Sequence, residues 1–202
     1  MKYVLTDMGG VLIDLHWEEN AAKIFNKKMN IDELHLFWTT ANSPSAYDKG
    51  KITFSEFIES LKNEYSIKLS KEQIAEYFLK IAGKPKKNLN TVIDKIKKQF
   101  TIAILSNTND AHINHLKKNY SFLEKFDKLF LSYELGLLKP NPEIFLHAVK
   151  FYNASPEDFI YFDDIISNVE AAKSIGMHAY QVFSPDEILN IINKFTAFKN
   201  NF

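Results

Sequence analysis

From residue 3 the chain reads Tyr3-Val4-Leu5-Thr6-Asp7-Met8-Gly9-Gly10-Val11-Leu12-Ile13-Asp14, an apolar, β-branched run that reaches a carboxylate and breaks at two consecutive glycines. The pattern predicts a buried strand delivering Asp7 into a sharp, sterically open turn, which Gly9 and Gly10 permit. The period then changes from two to 3.6. Between Trp17 and about Leu79 apolar residues recur at helical spacing: Ala21, Ile24, Phe25 and Met29 form one stripe, and Ile31, Leu34, Phe37 and Trp38 a second. Thr53-Phe54-Ser55-Glu56 and Ser70-Lys71-Glu72-Gln73 read as capping boxes opening two more helices. No strand pattern interrupts residues 15–86, which are expected to form an inserted helical bundle, with Gly83 and Pro85 marking the return crossing.

From Asn90 helices and strands alternate. A helix near 90–99 precedes the strand Phe100-Thr101-Ile102-Ala103-Ile104-Leu105, which ends on Ser106-Asn107-Thr108-Asn109. A helix carrying Ile113 and Leu116 leads to a strand at Leu129-Phe130-Leu131-Ser132, a loop holding Lys139-Pro140, and a helix from about Glu143 to Phe151. Phe159-Ile160-Tyr161-Phe162 runs into Asp163-Asp164; Ser167-Asn168-Val169-Glu170 opens a helix closed by Gly176, Met177 to Val182 is a last strand, and a final helix starts at Pro185. Elements of this length in alternation imply parallel strands with right-handed crossovers, hence an α/β three-layer core around a central parallel sheet.

Composition narrows the partners. The 25 basic and 25 acidic residues of this 202-residue chain cancel, so no overall field recommends nucleic acid or an anionic membrane, and a small ligand fits better. No apolar run approaches the roughly 18 residues of a membrane span, and the chain opens directly into its first strand, so the expected compartment is the cytoplasm. There is no cysteine, which excludes disulfides, thiolate catalysis and Cys-ligated zinc. There is no arginine either, so any anion site must combine lysine with backbone N–H groups.

In a parallel sheet the ends of these strands face one side, bringing Asp7, Ser106-Asn107, Lys139 and Asp163-Asp164 to a single crevice. Carboxylates suit a hard divalent cation, while a lysine with hydroxyl and N–H donors suits a phosphate. Each residue also has a simpler reading: Ser106 as the N-cap of the next helix, Lys139 as a solvated lysine, Asp163-Asp164 as a helix cap. His112 and His115, three apart with no third ligand at matching spacing, read as surface or packing residues. Trp17, Phe37, Trp38 and Tyr47 read mainly as core, with Tyr47, beside Asp48 and Gly50, the candidate to face a substrate.

Taken in order, these motifs identify a resemblance to the haloacid dehalogenase-like (HAD) hydrolases. Leu105-Ser106-Asn107-Thr108-Asn109, Ser132-Tyr133-Glu134-Leu135-Gly136 with Lys139-Pro140, and Phe162-Asp163-Asp164 resemble the branch holding sugar-1-phosphate phosphatases and the phosphatase domain of soluble epoxide hydrolases. The resemblance implies a Rossmann-like core of residues 1–14 and 87–202, an all-helical cap of 15–86, and the Asp7 strand at the sheet centre between those ending at Asn107 and Asp163. It further implies a Mg²⁺-dependent phosphatase of a small phosphorylated metabolite, a sugar phosphate above all, working as a monomer or small homo-oligomer. Asp7 would attack phosphorus and form an aspartyl-phosphate. Asp7, the Gly9 carbonyl, Asp164 and, directly or through water, Asp163 would hold Mg²⁺. Ser106, Asn107 and Lys139 would bind the phosphoryl group, with Asn168 and Gly10 in support.

One departure qualifies the match. Most phosphatases of this superfamily carry a second aspartate two residues after the nucleophile as acid and base, and this chain has Gly9 there. A positioned acid-base group contributes ~10²–10⁴-fold, so slow turnover or a preference for leaving groups needing little protonation is expected. Asp14 and His16 are the nearest alternative proton donors in sequence. A non-catalytic phosphate- or partner-binding protein, or another reaction of the superfamily such as dehalogenation or phosphonate cleavage, are the alternatives.

Overall fold

The computed structural model describes residues 1–199, the side chains of 32, 35, 39 and 196–199 excepted. Elements follow in the order β1 (Tyr3–Thr6), β2 (Ile13–Leu15), α1 (Trp17–Phe25), α2 (Ile31–Thr40), α3 (Asn42–Asp48), α4 (Phe54–Glu64), α5 (Lys71–Leu79) and β3 (Ala82–Pro85). The second stretch comprises α6 (Leu89–Ile96), β4 (Thr101–Ser106), α7 (Asp110–Asn119), β5 (Lys128–Leu131), α8 (Ser132–Leu135), α9 (Pro142–Phe151), β6 (Phe159–Asp163), α10 (Ile166–Ser174), β7 (His178–Gln181) and α11 (Pro185–Lys199). Five strands form one parallel sheet in the order β5-β4-β1-β6-β7. Every strand expected from the apolar runs is present, and β1 is central: Tyr3 pairs with Thr101 on one side and Phe159 on the other.

The period-2 alternation of these strands divides the core into two layers. Val4, Ile102, Ile104, Ile160 and Phe162 face one side and pack with α6 and α11 residues such as Val92, Ile96 and Ile188. Leu5, Ala103, Leu105, Phe159 and Tyr161 face the other, against Ile144, Phe145 and Ala148 of α9 and Val169 and Ala172 of α10. With apolar residues on both faces, β1 is sealed, which is why Val4 and Leu5 are adjacent yet both buried.

The helices between β2 and β3 have their own core of Ile24, Tyr47, Phe57, Leu61, Ile74 and Phe78. Thr53 with Glu56 and Ser70 with Gln73 form the expected capping boxes, and Asn30 with Glu33 adds a third at α2 that the sequence reading lacked. This bundle rests on α7: Ala111 enters its core, and the Tyr47 hydroxyl donates to Asp110 Oδ1 at 2.6 Å.

One expectation fails. Residues 15–86 are not free of strand: Ala82–Pro85 pairs antiparallel with Ile13–Leu15 as a two-stranded ribbon. Strands of three and four residues containing Gly and Pro carry no readable period, and the pairing comes from the chain crossing itself. Gly83 makes the approach possible, since a Cβ there would fall 2.7 Å from the Asp14 carbonyl oxygen. Among the described residues no helix is long and apolar enough to cross a membrane.

Candidate active site

The carboxyl ends of β1, β4 and β6 lie side by side, and the loop after α8 closes over them. Asp7 follows β1 and is fixed by its own N–H, which donates to the Phe162 carbonyl at 2.7 Å. Lys139 is buried, with its Nζ 2.7 Å from Asp7 Oδ1 and 2.6 Å from Asp163 Oδ2, so the solvated-lysine reading is set aside. The Asn107 side chain holds that loop in place: its Oδ1 accepts from the Lys139 N–H at 2.8 Å and its Nδ2 donates to the Lys139 carbonyl at 3.0 Å.

Ser106 ends β4 and does not cap α7. That role belongs to Asn109, whose Oδ1 accepts from the His112 N–H at 3.0 Å. Nor does the acidic pair cap α10, where the N-cap is Ile165 with no side-chain bond. Instead Asp163 is saturated with donors: Lys139, the Tyr161 hydroxyl, the Ile165 N–H at 2.8 Å, and Asn168 Nδ2 at 3.1 Å from both oxygens. Asn168 therefore reaches the lysine only through Asp163. The sequence reading missed Tyr161, although a residue two positions before Asp163 on a strand shares its face.

Asp164 is partly exposed and stands against the turn after β1. Gly10 has φ +70°, and a Cβ there would lie 2.0 Å from Asp164 Oδ2, so glycine is obligatory at this point for both conformation and space.

Three carboxylates share this corner with one ammonium, and oxygens of Asp7, Asp163 and Asp164 lie within 4.8 Å of one another. Burial pushes the Asp7 carboxyl up and Asp163 adds to it, while Lys139 opposes. Burial, Asp7 and Asp163 together push Asp164 up to about 7. Burial would depress Lys139, but Asp163 and Asp7 outweigh it and hold the ammonium above the ordinary lysine range. Negative charge in excess, presented by oxygen atoms alone, is the donor chemistry of a hard divalent cation.

A cavity of about 410 Å³ opens from this corner, with Asp7, Gly9, Ser106, Asn107, Lys139 and Asp164 on its floor. Trp17, Leu34, Trp38 and Ile81 line the opposite side. Tyr47 does not face it; the hydroxyl is spent on Asp110 and the ring is buried in the bundle core. Trp17 and Trp38, read as core, do line it, and so does His112, which packs on Phe78 with ring centroids 4.3 Å apart as a packing residue would. Asp14 and His16 are not among the described lining residues, whereas Asp48 is. The sequence points to this stretch but to Tyr47 and not to its neighbour Asp48, because which of the two lines the cavity depends on how α3 meets the core.

A sequence model of haloacid dehalogenase-like hydrolases matches residues 1–176. The chain belongs to this family. It is 25% identical over 193 residues to D-ribitol-5-phosphate phosphatase of Bacteroides thetaiotaomicron, covering 90% of this chain and 91% of that protein. It is 26% identical over 181 residues to the sesquiterpene phosphatase astK of Aspergillus oryzae, 87% of each. A HAD family enzyme of Bacteroides thetaiotaomicron, crystallised with magnesium and inorganic phosphate, superposes with a TM-score of 0.76 at 30% identity, over 90% of this chain and 93% of that one. The oxygen-only carboxylate corner found here fits that same ion.

Proposed function

We propose that this HAD-like phosphatase hydrolyses a small phosphate monoester through an aspartyl-phosphate on Asp7. The observation that carries the reading is the meeting of Asp7, Ser106, Lys139 and Asp164 in one cavity, each delivered by a different strand end or loop. Asp7, Asp164 and the Gly9 carbonyl would hold Mg²⁺, which when bound neutralises the charge that otherwise keeps an anionic nucleophile from an anionic phosphoryl group. Asp163, its oxygens taken by donors, acts from behind by holding Lys139. The lysine ammonium, the Ser106 hydroxyl and the Asn107 N–H bind the phosphoryl oxygens.

In the first step an Asp7 oxygen bonds to phosphorus, and the ester P–O bond breaks with its electron pair going to the leaving oxygen. That oxygen takes a proton from water, since Gly9 offers no acid, and the hydroxide left behind is neutralised by the proton released in the second step. In the second, water adds to phosphorus, the bond to Asp7 breaks, and carboxylate, inorganic phosphate and the proton are released. Residues 15–86 serve as the cap that shields these steps, and 1–14 with 87–202 as the catalytic core.

The ribitol-5-phosphate relative supports the sugar phosphate expected from sequence. A second reading, the phosphate of an apolar alcohol, is favoured by the apolar residues opposite the floor and by the sesquiterpene phosphatase relative. The reaction itself is tested with acetyl phosphate and p-nitrophenyl phosphate, with and without Mg²⁺. Turnover that needs Mg²⁺ and falls by ~10⁴-fold or more in Asp7→Asn is expected. Folded protein with no turnover above that variant would return the chain to a phosphate-binding role.

A further inference from the structure

The side of the cavity opposite the floor decides which alcohol can sit there. Its described residues from β2 and the cap helices are Leu15, Trp17, Ile31, Leu34 and Trp38, with Ile81 behind them. Three polar groups also border it from the cap, the Trp17 and Trp38 indoles and Asp48, and the last two consume each other: Trp38 Nε1 donates to Asp48 Oδ2 at 2.8 Å. The other Asp48 oxygen accepts from Asn109 Nδ2 at 3.0 Å. Among the described lining residues the cap therefore offers a ligand one side-chain donor at most, the Trp17 indole N–H.

Two further observations point the same way. Ile31 and Leu15 keep 54% and 38% of their surface exposed while lining a cavity. Apolar surface left bare beside a charged floor marks a place for an apolar ligand group. Leu15 also fills the room beside Gly9, for a Cβ on Gly9 would lie 3.1 Å from Leu15 Cδ1. Where a side chain at position 9 would stand, Leu15 presents a hydrocarbon.

We propose that the alcohol released is apolar, so that the substrate is the phosphate monoester of an alkyl or aryl alcohol and not of a sugar or polyol. The proposal rests on the phosphatase reading above and narrows it. Hydroxyls turned toward this wall lose their water partners and gain one donor at most, the Trp17 indole N–H, whereas each buried methylene raises kcat/KM about fourfold.

The test compares acetyl phosphate, ethyl, butyl and hexyl phosphate, and ribitol 5-phosphate as substrates, with Mg²⁺, in wild type, Asp7→Asn and Ile31→Asn. Expected are a rise in kcat/KM of ~10² from ethyl to hexyl phosphate, hexyl phosphate ahead of ribitol 5-phosphate, and a drop in Ile31→Asn at least fivefold greater for hexyl than for acetyl phosphate. Binding gives a second readout, because both tryptophans of the chain line this wall. Hexylphosphonate, which cannot be hydrolysed, should shift their fluorescence at a concentration at least 50-fold below that needed for methylphosphonate. A flat alkyl series, or ribitol 5-phosphate equal to hexyl phosphate, with Asp7-dependent turnover of acetyl phosphate intact, overturns the substrate class and leaves the phosphatase standing. Absence of Asp7-dependent turnover of acetyl phosphate overturns the phosphatase reading and this proposal with it, even where hexylphosphonate binds tightly.

Discussion

On the floor of the crevice Lys139 sits between Asp7 and Asp163, Asp163 gathers Tyr161, Asn168 and the Ile165 N–H, and Asn107 clasps the lysine's backbone from both sides. Across the cavity, the cap turns Leu34, Trp38 and Ile81 toward the same space and spends the Trp38 indole N–H on its own Asp48. The floor is held through charge-assisted hydrogen bonds and the wall by packing, and on the function proposed above the floor carries the chemistry and the wall the choice of alcohol. A change on the floor should alter every substrate alike. A change on the wall should reorder substrates and leave the charge balance alone.

The hardest blow to the floor is Lys139→Met. It leaves Asp7 and Asp163 buried without their counter-charge, a loss of ~3–5 kcal/mol in stability that urea denaturation would read. Activity should fall ~10²–10³-fold on acetyl and hexyl phosphate equally, because on the proposed function one phosphoryl donor has gone. Saturating Mg²⁺ should recover part of the stability but not the rate. A loss confined to one class of alcohol would break the division between floor and wall.

Next comes Gly10→Ala, whose new methyl would stand 2.0 Å from Asp164 Oδ2 at a backbone φ of +70°. Asp164 or the turn must move, at a cost of ~1–3 kcal/mol. Mg²⁺ affinity measured by calorimetry should drop more than tenfold, while the hexylphosphonate-induced fluorescence shift keeps its preference over methylphosphonate. If Mg²⁺ binds Gly10→Ala as it binds wild type, Asp164 is not a ligand.

The same division explains what could be read from the sequence. Floor residues sit at the ends of apolar runs, so strand prediction and the parallel rule suffice to bring Asp7, Ser106, Lys139 and Asp163-Asp164 together. What escaped was second-rank support within the floor, such as Tyr161, and the identity of the α7 cap, since Ser106 and Asn109 compete for it on equal chemical terms. The wall was opaque for a different reason. A helical stripe shows that Trp38 and Phe37 are inward, but a bundle has several inward directions. Trp38 faces the cavity and Tyr47 the bundle core only because α3 docks on α7 through Asp110. The ribbon of Ile13–Leu15 and Ala82–Pro85, which sets Leu15 beside Gly9, has no local signal at all.

The smallest effect is the most selective probe of the floor. Asp164 is raised to about 7 from an ordinary value of 3.8, and Asp7 is raised with it, so the folded state holds protons that the unfolded chain has released. Stability from these groups is fully present below about pH 4 and is lost as pH climbs through 7. Below pH 6.5 the signal is mixed, because burial lowers His112 to about 4 and there makes the unfolded state bind the extra proton, the opposite sign. Above pH 6.5 the folded His112 is neutral while the unfolded one, with its ordinary value of 6.5, gives up its remaining half proton by about pH 8, a partial offset of opposite sign, and Asp48, raised by burial to about 6, has largely finished titrating. From pH 6.5 to 8 the metal-free protein should therefore lose about 0.5–1 kcal/mol, seen as a fall in Tm of ~1–4 °C. Excess Mg²⁺ should cancel this fall, since the cation takes the place of the proton, and its stabilisation should be larger at pH 8 than at pH 6.5. Ile31→Asn, altered only in the wall, should show the same Mg²⁺-dependent difference as wild type, whereas in Asp164→Asn it should shrink. A Tm that does not change with pH in this window without Mg²⁺ would mean that the three carboxylates are already compensated by the protein itself, and the case for a cation at this corner would fall.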